Sequence, residues 1–452
     1  MQNADGGWSW WGTHDRSDPY ITAYVLFGLS RARTIGAPVN EETLNRAVAF
    51  LQETQAEVNA NTSGAELDDA AFVQFVLGEM GVTDRASANS LYEARDRMSP
   101  ASRAWLARIL HTVNPADPRV RDLISNLETE AIRTASSAHW ETPAASALRR
   151  GSPVYATSIV VYVLSQLDPA NQIIFEAVRY LAAHRDARGL WNSGHENAWA
   201  MMALNQAMVG IGDLRSDFAF DAALNGAPLT SGDVNGIQLT PLRANVPLAS
   251  LSSDSPNLLT IQREDGLGRL YYNVVLKVNR PVRDVKPLNA GMSVERVYCR
   301  AGQGDSETKR CTPLSSLQFG SDQSVTAQLT LTLPHDSYYV MVEDHIPAGM
   351  EILNRSLKTS RLGIDATGVQ VQFEDEDPFA DGWGWWLFNE PQIHDEGILF
   401  TADYLPAGTY ILTYTLIPVQ AGEFRVLPAR AWQAFFPEVQ GTSAGTVFEI
   451  KP

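Results

Sequence analysis

The stretch Asp5–Ala32, DGGWSWWGTHDRSDPYITAYVLFGLSRA, sets paired glycines, Trp8, Trp10, Trp11 and a His14–Asp15 pair in one loop. A helical pattern follows at once: Asp18 reads as an N-cap, Pro19 as the first helical residue, and the segment closes near Gly36. Related plans recur. The segment ARGLWNSGHENAWAMMALNQAM again sets a Gly before a Trp, then a short polar loop, then a helix rich in Ala and aromatics. The segments DDAAFVQFVLGEM and VYATSIVVYVLSQL repeat the helix part. Between them lie charged segments with one apolar stripe, such as Glu41 to Gln55. Helices apolar nearly all round, alternating with half-exposed ones, predict two concentric rings, an α/α toroid over residues 1–212. Ala23, Ala70, Ala71, Ala156 and Ala200 predict a ring plugged by close packing, with the loop tryptophans capping its ends.

Near Asp213 the apolar period changes to two. Asn225-Gly226 marks a hairpin. GRLYYNVVLKVNR alternates Leu270, Tyr272, Val274, Leu276 and Val278, and SVTAQLTLTLP alternates Val325, Ala327, Leu329, Leu331 and Leu333. Turn signals predict one or two β-sandwiches. A break around Pro281 and Pro287 divides a smaller β module, 213–288, from a larger one, 289–452.

The chain of 452 residues is 44% hydrophobic and 19% charged, enough for two or three domains with real cores. Its net charge of −17 argues against nucleic acid and anionic membrane surfaces. No apolar run reaches the ~18 residues of a membrane span, and Met1-Gln2-Asn3 does not open a signal peptide. Met1 is therefore expected to be an imposed start on a fragment. The only cysteines, Cys299 and Cys311, flank a polar stretch that reads as a hairpin tip. A disulfide there would stabilise by about 3 kcal/mol and favour an oxidising compartment; two free thiols are the alternative.

Catalytic motifs fail one by one. HENAW, from His195, lacks the second His of a zincin helix because Trp199 stands there. DDAAF, from Asp68, has Phe72 where a diphosphate–magnesium motif needs an acid. GTSAG, from Gly441, is followed by a strand-like TVFEI rather than a helix. His14 with Asp15 could form an acid–base pair but reads more simply as surface and capping residues. His139-Trp140-Glu141 reads as packing between helices. The acidic run Glu374 to Asp377 reads as a solvated loop, with a calcium site as the sharper alternative. In GWGWW, Trp383, Trp385 and Trp386 either close a sandwich end or form a contact loop. No catalytic, cofactor or metal site is expected.

Several blocks resemble, in family order, the bacterial α2-macroglobulins, relatives of the thioester-containing complement proteins. QNADGGWSWW with SDPYITAYVLFGL, and GLWNSGHENAWAMMAL, are similar to parts of that family's thioester-domain toroid. GRLYYNVVLKV is similar to a strand of its CUB-like module. AGMSVERVYC, IPAGMEILNRSL, LFTADYLPAGTYILTYTLIP and FFPEVQGTSAG are similar to its last macroglobulin-like, receptor-binding-type sandwich.

The resemblance implies a multidomain chain: a partial toroid, a CUB-like module and a terminal β-sandwich. It also implies a parent that is extracellular, periplasmic or held at the cell envelope. Such a parent traps proteases after cleavage of a bait region, and a Cys–Gln thioester acylates their lysines. Proteases, met through the parent, and the parent's other domains are the implied partners. The signature Cys-x-Glu-Gln is not in this chain, since neither cysteine is followed by Glu-Gln, and Thr54 to Glu66 contains no His to take over an acyl group. Gln2, Gly6, Gly7 and Trp8 also fit the repeated loop tail of terpene cyclases, which share the toroid. The loop therefore reads as architecture, and the chain as non-catalytic. Two other readings remain: an α/α-toroid glycosidase or lyase with β modules, or an envelope adhesion or scaffolding module using the Trp383–Trp386 loop.

Overall fold

In a computed structural model of the chain, the described residues are 1–11, 16–55, 57–142, 151–185, 189–237, 240–300, 313–319, 324–353, 368–372 and 387–452. They divide into two compact units: residues 1–133 with 137–273, and residues 134–136 with 274–452.

The first unit is built of helical hairpins. Its described helices are α1 (Pro19–Thr34), α2 (Glu41–Glu53), α3 (Gly64–Glu79), α4 (Arg85–Glu93), α5 (Pro100–Val113), α6 (Pro118–Glu130), α7 (Pro153–Leu167), α8 (Ile173–Ala183) and α9 (Gly194–Ile211). Short side-chain oxygens start most of them: Asp18, Asn40, Ser63, Asp84, Ser99, Asp117, Ser152 and Ser193 each accept a backbone N–H of the first turn. The helices α1, α3, α5, α7 and α9 pack one on the next in chain order, and α2, α4, α6 and α8 lie against them.

What fills the space between the five successive helices is aromatic. Phe75 stacks on Trp105 at 4.0 Å, Phe27 stacks on Trp199 at 5.3 Å, and Phe72 lies 5.9 Å from Trp105 and 6.1 Å from Trp199. Trp105 and Trp199 are almost wholly buried. The alanines on which sequence reasoning relied are the thin part of this packing. Ala23, Ala71, Ala156 and Ala200 are buried, Ala70 only partly. Small residues let the backbones approach, and the large rings then occupy the centre.

The opening loop is tied down by its polar groups. Gln2 Nε2 donates to the carbonyls of Gly6 and Thr43, and Trp8 N–H donates to Thr22 Oγ1. Asp5 Oδ1 accepts from Gly7 N–H and Ser17 Oγ–H. Gly6 sits at φ +93°, and a Cβ there would lie 2.5 Å from the Arg46 carbonyl oxygen, so only glycine fits. Trp8 packs against the core, but Trp10 and Trp11 are 62% and 88% exposed. The expectation that the loop tryptophans cap the ring ends therefore fails for two of three. Thr22 Oγ1 accepts the Trp8 N–H and the Trp8 carbonyl accepts the Asp18 N–H, so the loop is held at Trp8, and nothing in that geometry turns the next two rings inward.

Between α6 and α7, β1 (Ile132–Arg133) pairs antiparallel with β2 (Ala138–His139), and after α9 come β3 (Asp217–Leu224), β4 (Ala227–Asn235) and β5 (Leu259–Arg263), in the order β4-β3-β5. Asn225 (φ 52°) and Gly226 (φ 81°) make the expected hairpin turn. The expected strand at 268–280 does not form. Tyr272 and Leu276 are each 71% exposed, and no described strand pairs with the segment. Alternation fixes which side chains share a face, but a strand exists only where a neighbouring edge supplies hydrogen bonds. Here β3 already has β4 and β5 on its two edges.

The second unit is a β-sandwich. One sheet has the order β13 (Gln392–His394), β14 (Gly397–Leu405), β10 (Ser337–His345), β17 (Arg430–Gln433), β18 (Phe436–Thr442), β6 (Leu288–Ala290). Another runs β11 (Met350–Ile352), β15 (Gly408–Pro418), β9 (Val325–Leu333), β7 (Ser293–Arg300), with β12 (Gly368–Gln372) also on β15. A third has β16 (Gly422–Val426), β19 (Thr446–Lys451) and, parallel to β19, β8 (Ser316–Gln318). Val325, Ala327, Leu329, Leu331 and Leu333 are all buried, as their period predicts. Gly441 and Ser443 of GTSAG lie at the end of β18 and just beyond it, and Ser443 Oγ accepts the Ala429 N–H, so this serine is a structural turn residue.

Candidate functional site

Among the described residues, the polar side chains that converge on the helical core gather where the successive helices begin. The serine caps Ser63, Ser99, Ser152 and Ser193 bring the first turns of α3, α5, α7 and α9 there. Tyr20, Asp68, Asp69, Phe72, Ser99, Thr142 and Tyr155 are among the residues lining a cavity of about 50 Å³. Asp68 Oδ1 accepts the Ser99 N–H at 2.9 Å. Burial pushes the Tyr155 phenol well above its ordinary range, and that of Tyr24 upward, so both are neutral hydroxyls at physiological pH.

His195 lies between two of these rings, 4.9 Å from Tyr155 and 5.6 Å from Tyr24. Beside it, Glu196 is 8% exposed and falls on the buried stripe of α9 with Trp199, Ala200, Ala203 and Ala207. Its Oε2 and the Trp199 indole N–H are buried and find no hydrogen-bond partner among the described residues. Glu66 stands at the same third position of α3 and behaves differently. Its carboxylate reaches back to Ser63 N–H and Oγ, completing a capping box. Glu196 gives its N–H to Ser193 Oγ but does not return its carboxylate.

The sequence-predicted residues fall elsewhere. Trp140 is buried, its indole N–H on the Leu127 carbonyl, and His139 stacks on Tyr180 at 4.5 Å, so this loop is packing. Trp191 of the repeated Gly–Trp plan likewise donates to the Leu181 carbonyl. Cys299 is buried in β7, and no described cysteine is free. Cys311, His14, Asp15, Glu374 to Asp377, Trp383, Trp385 and Trp386 lie outside the described residues. Sequence reasoning missed Glu196, Tyr24 and Tyr155. A Glu three residues after a Ser signals a capping box, and nothing in the sequence separates Glu196 from Glu66.

A wider depression of about 520 Å³ lies near Glu128, Asp168 and Asn171. The Asn171 amide donates to both carboxylates there, at 2.5 and 3.0 Å, which satisfies them locally. No group of three or more His, Cys, Asp or Glu that could hold a metal occurs among the described residues.

Comparison with known proteins agrees with this architecture. Residues 291–438 match the family described as the bacterial alpha-2-macroglobulin MG10 domain. An alpha-2-macroglobulin homolog of a Nostoc strain is 24% identical over 468 aligned positions, covering 98% of this chain and 23% of that protein. Over these spans the chain is similar to alpha-2-macroglobulins of bacteria. The crystal structure of trypsin-activated alpha-2-macroglobulin from Escherichia coli superposes with a TM-score of 0.54 at 17% identity, over 100% of this chain and 29% of that one. That likeness is one of fold, and it accords with the mixed α and β multidomain architecture of the described residues. The chain thus spans about a quarter of the length of these proteins.

Proposed function

We propose that this chain is the C-terminal portion of a bacterial α2-macroglobulin-type protease trap and contributes shape rather than turnover. Under this reading residues 1–212 are a partial thioester-domain-like toroid, 213–288 a CUB-like module, and 289–452 the receptor-binding-type sandwich. The observation that carries it is the MG10 match over residues 291–438 together with near-complete coverage by the Nostoc relative. The helical core supports the non-enzymatic part. Stacked aromatic rings occupy its centre, and the cavity at its mouth, about 50 Å³, cannot hold a sugar ring, which disfavours a glycosidase or lyase.

The parent is expected outside the cytoplasm or at the cell envelope, with proteases as partners. No described helix is long and apolar enough to cross a membrane. A Cys299–Cys311 bridge fits that compartment and the absence of a free thiol among the described cysteines.

Two measurements test the proposal. The parent protein, incubated with trypsin or elastase, should leave cleavage of a small chromogenic peptide intact while blocking cleavage of a large protein substrate. Equal cleavage of both would refute trapping. The chain alone should turn over no glycan, prenyl diphosphate or peptide, and sustained turnover of any would refute the shape-holding role. Mass spectrometry without reductant should find the 299–311 bridge; two alkylated thiols would remove it.

A further inference from the structure

The unpaired segment 268–280 displays apolar side chains to water on both of its faces. Tyr272, Val274, Leu276 and Val278 alternate on one face, Tyr271 and Val275 lie on the other, and all six are more than half exposed. A strand apolar on both faces is the pattern of one covered on both. Yet no backbone hydrogen bond joins 270–280 to any described residue. The ends of the segment, by contrast, are held. Arg269 N–H and Tyr271 O–H donate to the two carboxylate oxygens of Asp213 at 3.1 and 2.7 Å, and the Arg269 guanidinium lies 3.6 Å from the centre of the Phe175 ring. Past the other end, Val282 is buried and the Val285 carbonyl accepts the Gly445 N–H at 3.2 Å. We propose that 271–278 is a strand whose neighbour belongs to a part of the parent outside this chain, an extended apolar segment that hydrogen-bonds along it and covers it.

Local preference comes first. Tyr, Val and Leu suit a pleated, covered surface, so the solvated state of 271–278 conflicts with its own residues until an edge is supplied. The fixed ends confine the middle, which lowers the ordering cost that an incoming strand must meet. Exposure also reaches the neighbouring sheet. Leu242 and Leu248, between β4 and β5, and Leu258, just before β5, stand in water as well. Three strands with so much apolar surface uncovered are short of a layer. The missing layer has a source, because the chain covers only 23% of the Nostoc relative and most of such a protein lies beyond the matched span. A second copy is the poorer occupant. One strand edge is small against the ~800 Å² per partner of a stable interface, and a charge of −17 on each copy opposes association. A segment of the same polypeptide needs far less area, since tethering supplies an effective concentration on the order of millimolar.

The inference rests on reading the chain as a portion of a longer parent, and not on protease trapping. The experiment compares amide hydrogen exchange of residues 270–280, followed by mass spectrometry, in this chain and in the parent protein. Exchange is expected near the unprotected rate in the chain and at least ~100-fold slower in the parent. The double change Val274→Asp with Leu276→Asp should leave thermal unfolding of the chain unchanged, and should speed exchange of the segment in the parent by at least ~tenfold. Equal exchange in chain and parent would overturn the proposal. So would protection in the chain alone that grows with its concentration, which assigns the edge to a second copy. The comparison of unaltered proteins needs no variant, so a poorly folding parent variant does not shield the claim. A parent that traps proteases while the segment stays unprotected sinks only this inference, and one that protects the segment without trapping sinks only the trap.

Discussion

Arg296 and Asp344 carry opposite charges where almost no water reaches, with side-chain exposures of 1% and 0%. One Arg296 Nη donates to Asp344 at 2.5 Å and to the Leu427 carbonyl at 2.8 Å, the other to Thr446 Oγ1 at 3.2 Å. Tyr414 O–H completes the carboxylate at 2.7 Å. These partners come from β7, β10, β15 and β19, so one ion pair joins strands of three sheets. Removing one partner strands the other charge. Arg296→Met alone should cost about 3–5 kcal/mol in denaturant unfolding, and the double change Arg296→Met with Asp344→Leu distinctly less. A double variant as unstable as the single one would refute this account. A second residue-scale prediction concerns Asp5. The Gly7 N–H, and then the Ser17 hydroxyl, hold its carboxylate below the ordinary Asp value of 3.8. A depressed folded pKa gives stability that is present above the unfolded value and lost as pH falls through the folded one. Asp5→Asn should therefore lower thermal stability at neutral pH, with the gap to the parent closing in acid below pH 3.8. A gap independent of pH would show that the carboxylate's charge is not the cause.

Individual elements follow their sequence signals where the signal is local. The Asp18 cap, Pro19 at the first turn and the Asn225-Gly226 hairpin were readable, because each is satisfied within a few residues. The Gly–Trp plan was readable too, but its chemistry was not. Trp140 and Trp191 each send the indole N–H to a carbonyl near the end of the preceding helix, Leu127 of α6 and Leu181 of α8. Trp191→Phe should remove that bond and cost about 1–3 kcal/mol, read from the helical unfolding transition. A loss below a few tenths would mean that the ring alone ties the corner. The segment 268–280 marks the limit of element-scale reading. Its alternation is as clear as that of β9, yet β9 lies between β7 and β15 while 268–280 pairs with no described strand.

At the scale of the whole molecule, the division into two units carries a thermodynamic consequence. Each has its own buried core: aromatic and aliphatic residues from Tyr20 to Ala207 in one, and from Met292 to Ile450 in the other. Calorimetry should resolve two transitions. The helical signal should vanish in one, and the sandwich transition alone should move with Arg296→Met. A single transition in which both signals disappear together would contradict this.

The sequence by itself determined the helical and β halves, the capped hairpins, the buried face of β9 and the resemblance to α2-macroglobulins, because periodicity, caps and family blocks are written along the chain. Only the tertiary structure decided that rings rather than alanines fill the helical centre, that Trp10 and Trp11 face outward, and that 268–280 lacks a pairing edge. It also decided that Glu196, alike in sequence position to Glu66, turns inward. These outcomes depend on which distant groups meet. Side-chain volume, edge pairing and hydrogen-bond completion are settled between segments, and no single segment carries that information.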